Sequence, residues 1–229
     1  MKNFLFSSWI INLALPATTY AVVMLSLWMS FCYAPPEVIM GEVQRIFYVH
    51  VGAATASYVA IFSMLIGGVG YLKTRSSIWA DIGDAARVTA LLFSSLVLVT
   101  GMIWGKAAWN TFWNWEPRLT TFFMLWMTIV ASSLLKYFSS DTLRNERIQA
   151  VLGIASAIQI PLVIFSVKIA SLIGSLHPQV AANQGLRDVR YIETLMVSIV
   201  ALVLLSVWYF VLSIRKNLLQ REALEIAHE

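Results

Sequence analysis

The chain has 229 residues, of which 59% are hydrophobic and 12% charged, with a mean hydropathy of +0.74 and a formal net charge of +4. Soluble domains carry about 25% charged residues. This composition therefore excludes a soluble globule, and segments of about 20 residues per bilayer crossing leave no room for a sizeable soluble domain. The single cysteine excludes an internal disulfide and any CxxC redox or metal motif.

Charges read as boundaries give six apolar segments, at Trp9–Phe31, Val49–Leu72, Ala85–Ile103, Leu119–Tyr137, Ile148–Ile173 and Tyr191–Ile214. Each reaches across the ~30 Å hydrocarbon layer. Each must be helical, because backbone groups in lipid have to be satisfied within the segment. The predicted fold is all-α: one polytopic integral membrane domain, residues 1–229, with six transmembrane helices.

Lys2 opens the first apolar run, which lacks a small-residue cleavage site and reads as a retained helix rather than a signal peptide. Pro16 and, later, Pro161 lie inside spans, where membrane helices tolerate a kink. Cys32 reads as a small apolar residue at a helix end. A loop carrying Arg45 leads to His50, which opens the second span and is followed by Val-Gly-Ala-Ala-Thr-Ala-Ser. Ala53, Ala54 and Ser57 then share its helical face, smooth enough for a flat macrocycle to approach the backbone. The charged stretch 73–84 reads as a loop before the third span.

Between the third and fourth spans lies WGKAAWNTFWNWEPRLT, which holds Trp104, Trp109, Trp113 and Trp115, four of the nine tryptophans. A membrane-interface belt uses one or two Trp or Tyr per helix end, so this density suits a platform for a large flat ligand. Trp109, Phe112, Trp113 and Glu116 share helical spacing, which predicts a short interfacial helix with one aromatic stripe and Trp115 pointing elsewhere. The alternative is an interfacial anchor without a ligand. Lys106, Arg118 and Arg45 are candidate partners for anionic ligand groups, with headgroup contact as the alternative for each. After the fifth span, Gly174 and Ser175 precede His177. Pro178 disfavours a helical conformation at His177 and so sets its imidazole at the end of that span.

Ten of the sixteen Lys and Arg residues fall on the side holding the N-terminus, the 73–84 and 138–147 loops and the tail. Arg45, Lys106, Arg118, Lys168, Arg187 and Arg190 fall on the other. The positive-inside rule then puts both termini in the cytoplasm and the Trp-rich loop outside. Two of the three histidines, His50 and His177, lie on that outward side, while His228 lies opposite. Two imidazoles with aromatics between them suit a bis-histidine haem site, since haem iron takes axial His. A zinc or copper site needs three or four clustered ligands. Glu116 is the available third, and that reading leaves the tryptophans unexplained.

The Trp run resembles the "WWD" signature of the haem-handling membrane proteins of cytochrome c maturation. YAPPEVIMGEVQRIFYVHVGAA and QIPLVIFSVKIASLIGSLHPQ look like the first outward loop and the fifth span with its loop in the haem exporter protein C (CcmC) family. The similarity covers most of the chain, in order; longer relatives that act as haem–apocytochrome synthases have more spans and histidines.

The resemblance implies a non-enzymatic haem-delivery subunit that holds non-covalent haem b (iron protoporphyrin IX) at the periplasmic face of the bacterial inner membrane. It implies work beside an ABC transporter (CcmA and CcmB) and a small single-span subunit (CcmD), with haem passed to a haem chaperone (CcmE). On this likeness His50 and His177 are the axial iron ligands, and Trp104, Gly105, Trp109, Trp113 and Trp115 the cradle. Glu116-Pro117 stands where the family usually has Asp and a small residue, so the carboxylate sits one methylene further out. Two other readings compete. A b-type cytochrome with two stacked haems needs about four intramembrane histidines, more than are available. A haem pore is normally marked by intramembrane charges, and the six segments contain almost no mid-membrane charges, Lys168 lying near an end.

Overall fold

The computed structural model describes residues 2–37, 40–138, 142–172 and 188–227. Its helices are α1 (Lys2–Ser7), α2 (Leu15–Trp28), α3 (Arg45–Thr74), α4 (Ser77–Trp109), α5 (Pro117–Phe138), α6 (Thr142–Leu172) and α7 (Val189–Ala227). Single π-helical stretches, Ile10–Ala14 and Met29–Tyr33, extend α2 at both ends. Six helical segments are long and apolar enough to cross a membrane: Ile10–Tyr33, Glu42–Thr74, Ser77–Trp109, Pro117–Phe138, Leu143–Ser166 and Val189–Ala223. Among the described residues no strand forms, and the fold is all-α as the hydropathy pattern implies.

Helix α3 occupies the centre and packs against α4, α7 and α6. Small residues let these backbones touch, the usual solution where lipid gives no hydrophobic drive between helices. A Cβ on Gly67 would stand 2.6 Å from the Gly83 nitrogen, and one on Gly68 2.6 Å from the Ala150 carbonyl oxygen. Ala53, Ala56, Ala60, Ile61, Ala90, Phe93, Leu125 and Ile129 fill the core between them. Buried hydroxyls add cross-links: Ser26 and Ser198 lie 2.8 Å apart, and Trp126 Nε1 donates to Ser95 Oγ at 2.9 Å.

Several boundaries differ from those expected. The stretch 73–84 is not a loop: α3 ends at Thr74, Arg75 takes a left-handed conformation (φ 57°), and α4 begins at Ser77. Likewise α7 continues to Ala227 rather than ending near Ile214. Charges failed as boundaries because they pair with one another across the bundle. Asp84 meets Arg87 and Lys136 at 2.6 Å each, and Arg221 meets Asp81 at 2.9 Å and Glu146 at 3.0 Å. Asp81, Asp84 and Arg87 thus lie near the start of α4. These groups line a recess of about 500 Å³, counting its open part. The Leu5 carbonyl accepts from Arg215 Nη2, and Leu5 and Ile11 pack with Ala85, Ile214 and Leu218. The N-terminal segment thus shares this end of the bundle with the far end of α7. Pro161 lies inside α6, and Pro16 lies within the continuous helical span Ile10–Tyr33, a position membrane helices tolerate.

Candidate functional site

At the opposite end, α3, α4, the 110–116 connection, α5 and α6 surround a cavity of about 590 Å³, counting its open mouth. Helix α3 contributes His50, Ala54 and Tyr58, α4 contributes Gly101, Met102, Gly105 and Trp109, and α5 contributes Arg118 and Phe122. Phe112, Trp113 and Asn114 close it from the connection.

The interfacial helix expected over Trp109–Glu116 does not form. Asn110 takes a left-handed conformation (φ 58°) and stops α4, a role Asn tolerates. Lys106 Nζ donates to the Asn110 carbonyl at 3.1 Å and to its Oδ1 at 2.9 Å, satisfying the helix end. Pro117 opens α5, and a proline pushes the preceding residue away from helical geometry. The connection is instead an irregular turn held by Thr111, whose hydroxyl donates to the Trp113 carbonyl at 2.9 Å.

Of the residues singled out in the sequence, His50, Gly105, Trp109, Trp113 and Arg118 line the cavity. Trp104 packs edge-on against Trp109 (centroids 5.0 Å apart) and Trp115 against Trp113 (5.6 Å), one shell behind the wall. Trp115 is 73% exposed. Glu116 stands beside Pro117 at the start of α5, its carbonyl accepting from the Thr120 amide and hydroxyl. Arg45 is turned to Glu42 and the Ser30 carbonyl, over the Phe31 ring. Lys106 is engaged at Asn110. His177 lies outside the described residues. The small face beside His50 also differs from expectation: Ala53 and Ser57 are fully buried in helix packing, and only Ala54 reaches the cavity.

Several members of the site were not singled out in the sequence, Tyr58, Gly101, Thr100 and Asn114 among them. Tyr58 lies two turns beyond His50 on the same face, and Gly101 one turn before Gly105 on α4, spacings that were visible in the sequence. Gly101 is functional in packing: a Cβ there would stand 3.2 Å from His50 Cε1. Thr100 Oγ1 lies 3.0 Å from His50 Nδ1. Asn114 carried no sequence signal. Its Nδ2 and Oδ1, and Trp113 Nε1, are buried with no hydrogen-bond partner among the described residues. Leaving such atoms unsatisfied costs about 1–3 kcal/mol each.

The family model described as "Heme exporter protein C" matches residues 2–228. The chain belongs to the heme exporter protein C family. Among curated relatives, a "Heme exporter protein C" of Bradyrhizobium diazoefficiens is 28% identical over 90% of this chain and 78% of its own length. A "Putative cytochrome c biosynthesis ccmC-like mitochondrial protein" of Marchantia polymorpha is 33% identical over 62% of this chain and 60% of its own. The Escherichia coli K12 "Heme exporter protein C" is 30% identical over 60% and 56%. Similarity to the last two thus spans under two thirds of each relative's length.

Proposed function

We propose that this heme exporter protein C family member handles haem in cytochrome c biogenesis, holding non-covalent haem b as cargo at the Trp-lined end of the bundle. His50 and His177 are the axial ligands, Trp109 and Trp113 the walls against the macrocycle, and Trp104 and Trp115 their backing. One observation carries the reading: a single aromatic cavity joins an imidazole, the Arg118 guanidinium and the unpartnered polar atoms of Trp113 and Asn114. Such a set fits a flat apolar body with a metal at its centre and carboxylates at its edge. The imidazole serves the metal, and guanidinium and N–H donors serve carboxylates.

In this reading the haem site faces the periplasm of the bacterial inner membrane, with both termini cytoplasmic. The haem is passed to a haem chaperone (CcmE), beside an ABC transporter (CcmA, CcmB) and a small single-span subunit (CcmD). Axial bonds hold the iron while the exposed Trp115 edge marks the side from which a partner reaches the haem. The protein has no bond-making site of its own beyond promoting haem transfer to the chaperone.

The test is a visible spectrum of purified protein. Wild type should give a six-coordinate, low-spin haem spectrum. His50→Ala and His177→Ala should each weaken or lose it, and His228→Ala should not. Loss of the spectrum with His228→Ala alone would place the site at the wrong end of the bundle.

A further inference from the structure

We infer that Thr100 is the positioning residue for His50: its hydroxyl holds the imidazole as the tautomer protonated on Nδ1, leaving the Nε2 lone pair for iron. The half of this inference that concerns iron rests on the haem-binding function proposed above; the tautomer itself does not.

One hydroxyl proton decides the tautomer. Thr100 Oγ1 lies 2.7 Å from the Leu96 carbonyl oxygen and 3.2 Å from that of Val97. A hydroxyl has one hydrogen and two lone pairs, and a threonine in a helix gives that hydrogen to the carbonyl one turn back. Towards His50 Nδ1, 3.0 Å away, Oγ1 therefore offers only a lone pair. The imidazole must be the donor, so Nδ1 carries the hydrogen. In a neutral imidazole the other nitrogen is then the acceptor.

Gly101 makes this geometry possible. The His50 ring lies so close to α4 that a Cβ at Gly101 would stand 3.2 Å from Cε1 and 3.7 Å from Nδ1. The ring is thus pinned at two adjacent points of α4, through Nδ1 on Thr100 and Cε1 over Gly101. Across the ring from Nδ1, Nε2 is left clear of Thr100 while His50 lines the cavity. Metal-binding histidines characteristically donate their second ring N–H to an oxygen, which fixes the tautomer, orients the ring and raises its basicity. Serine, valine and threonine at position 100 separate the hydroxyl from the side chain's shape.

The experiment has a haem-free and a haem-loaded arm. Haem-free protein labelled with ¹⁵N at histidine, with His50→Gln used to assign the signals, reports the His50 tautomer by its two nitrogen shifts. Wild type and Thr100→Ser should show Nδ1–H, whereas the isosteric Thr100→Val should move towards the Nε2–H tautomer that free imidazole prefers. In the loaded arm, Thr100→Val should bind haem about ten- to a hundredfold more weakly and raise the iron's reduction potential, since a less basic ligand favours ferric iron less. Thr100→Ser should restore both. An Nε2–H tautomer in wild type, or an unchanged tautomer in Thr100→Val, overturns the inference. A tautomer that moves without any change in haem affinity or potential upholds Thr100's hold on the ring and overturns His50 as the iron ligand.

Discussion

Replacing Asn114 by leucine should stabilise the haem-free protein and weaken haem binding at once. Both amide atoms of Asn114 are buried without a partner among the described residues, as is the neighbouring Trp113 Nε1. An unsatisfied buried group costs about 1–3 kcal/mol. A branched apolar side chain of similar shape removes that cost, which corresponds to a melting-temperature rise of roughly 2–4 °C per kcal/mol for a chain of this size. With haem present the sign reverses. Hydrogen bonds to charged groups contribute about 1.5–3 kcal/mol, so losing an amide that meets a carboxylate weakens haem by roughly ten- to a hundredfold. The assay pairs thermal unfolding of haem-free protein in detergent with haem titration followed by Soret absorbance. Asn114→Ala controls for bulk, since it removes the amide without filling the cavity. A lower melting temperature for haem-free Asn114→Leu would show that the amide is satisfied in solution. Unchanged haem affinity in both variants would show that the cavity's polar atoms do not meet the ligand.

Trp113 packs edge-on against Trp115 and Phe123, each 5.6 Å away. Aromatic contacts contribute about 0.5–1.5 kcal/mol each beyond burial, so Trp113→Ala should reduce haem binding only several-fold. Covalent haem on the chaperone, measured in the same membranes, should fall further, because small misplacements cost a transfer step more than they cost affinity. Cysteine labelling should reach positions near Thr74 and Glu229 from the cytoplasmic side and near Glu42 and Asn110 from the outside; labelling of Asn110→Cys from the cytoplasm alone would invert the arrangement. Asp84→Asn should destabilise the protein by about 3–5 kcal/mol, the usual cost of leaving a buried pair half-made, and Asp84→Leu with Arg87→Met should recover much of it, read by thermal unfolding in detergent.

The six spans were legible because lipid imposes a composition on about 20 residues at a time. Their ends were not, because a charge reads as a stop only if it has no partner within the bundle. Asp81 and Arg221 are 140 positions apart in sequence yet ion-paired, a relation no local window detects. The same limit applied to the Trp run. Its aromatic spacing fitted a helix, but Asn110 and Pro117 broke the backbone on either side, and the turn brought Trp109, Phe112 and Trp113 to one cavity by a different route. Arg45 and Lys106 show how weakly a cation's position predicts its use. Both lie close in sequence to the site, and both turn to local acceptors.

The two ends of the bundle also differ in how their polar groups are satisfied, and this difference bears on function. At the end shared by the N-terminal segment and the far end of α7, Asp81, Asp84 and Glu146 face Arg87, Lys136 and Arg221, and all six charged groups are in ion pairs. Breaking such a network to admit a ligand means uncovering buried charge, at several kcal/mol. At the other end, the amide of Asn114 and the indole N–H of Trp113 sit buried without partners among the described residues, beside His50 and Arg118. Here a ligand that brings carboxylates relieves a cost the protein bears without it. The ion pairs around the recess therefore hold the helices together, and the proposed haem site falls to the cavity whose polar atoms the fold leaves unsatisfied.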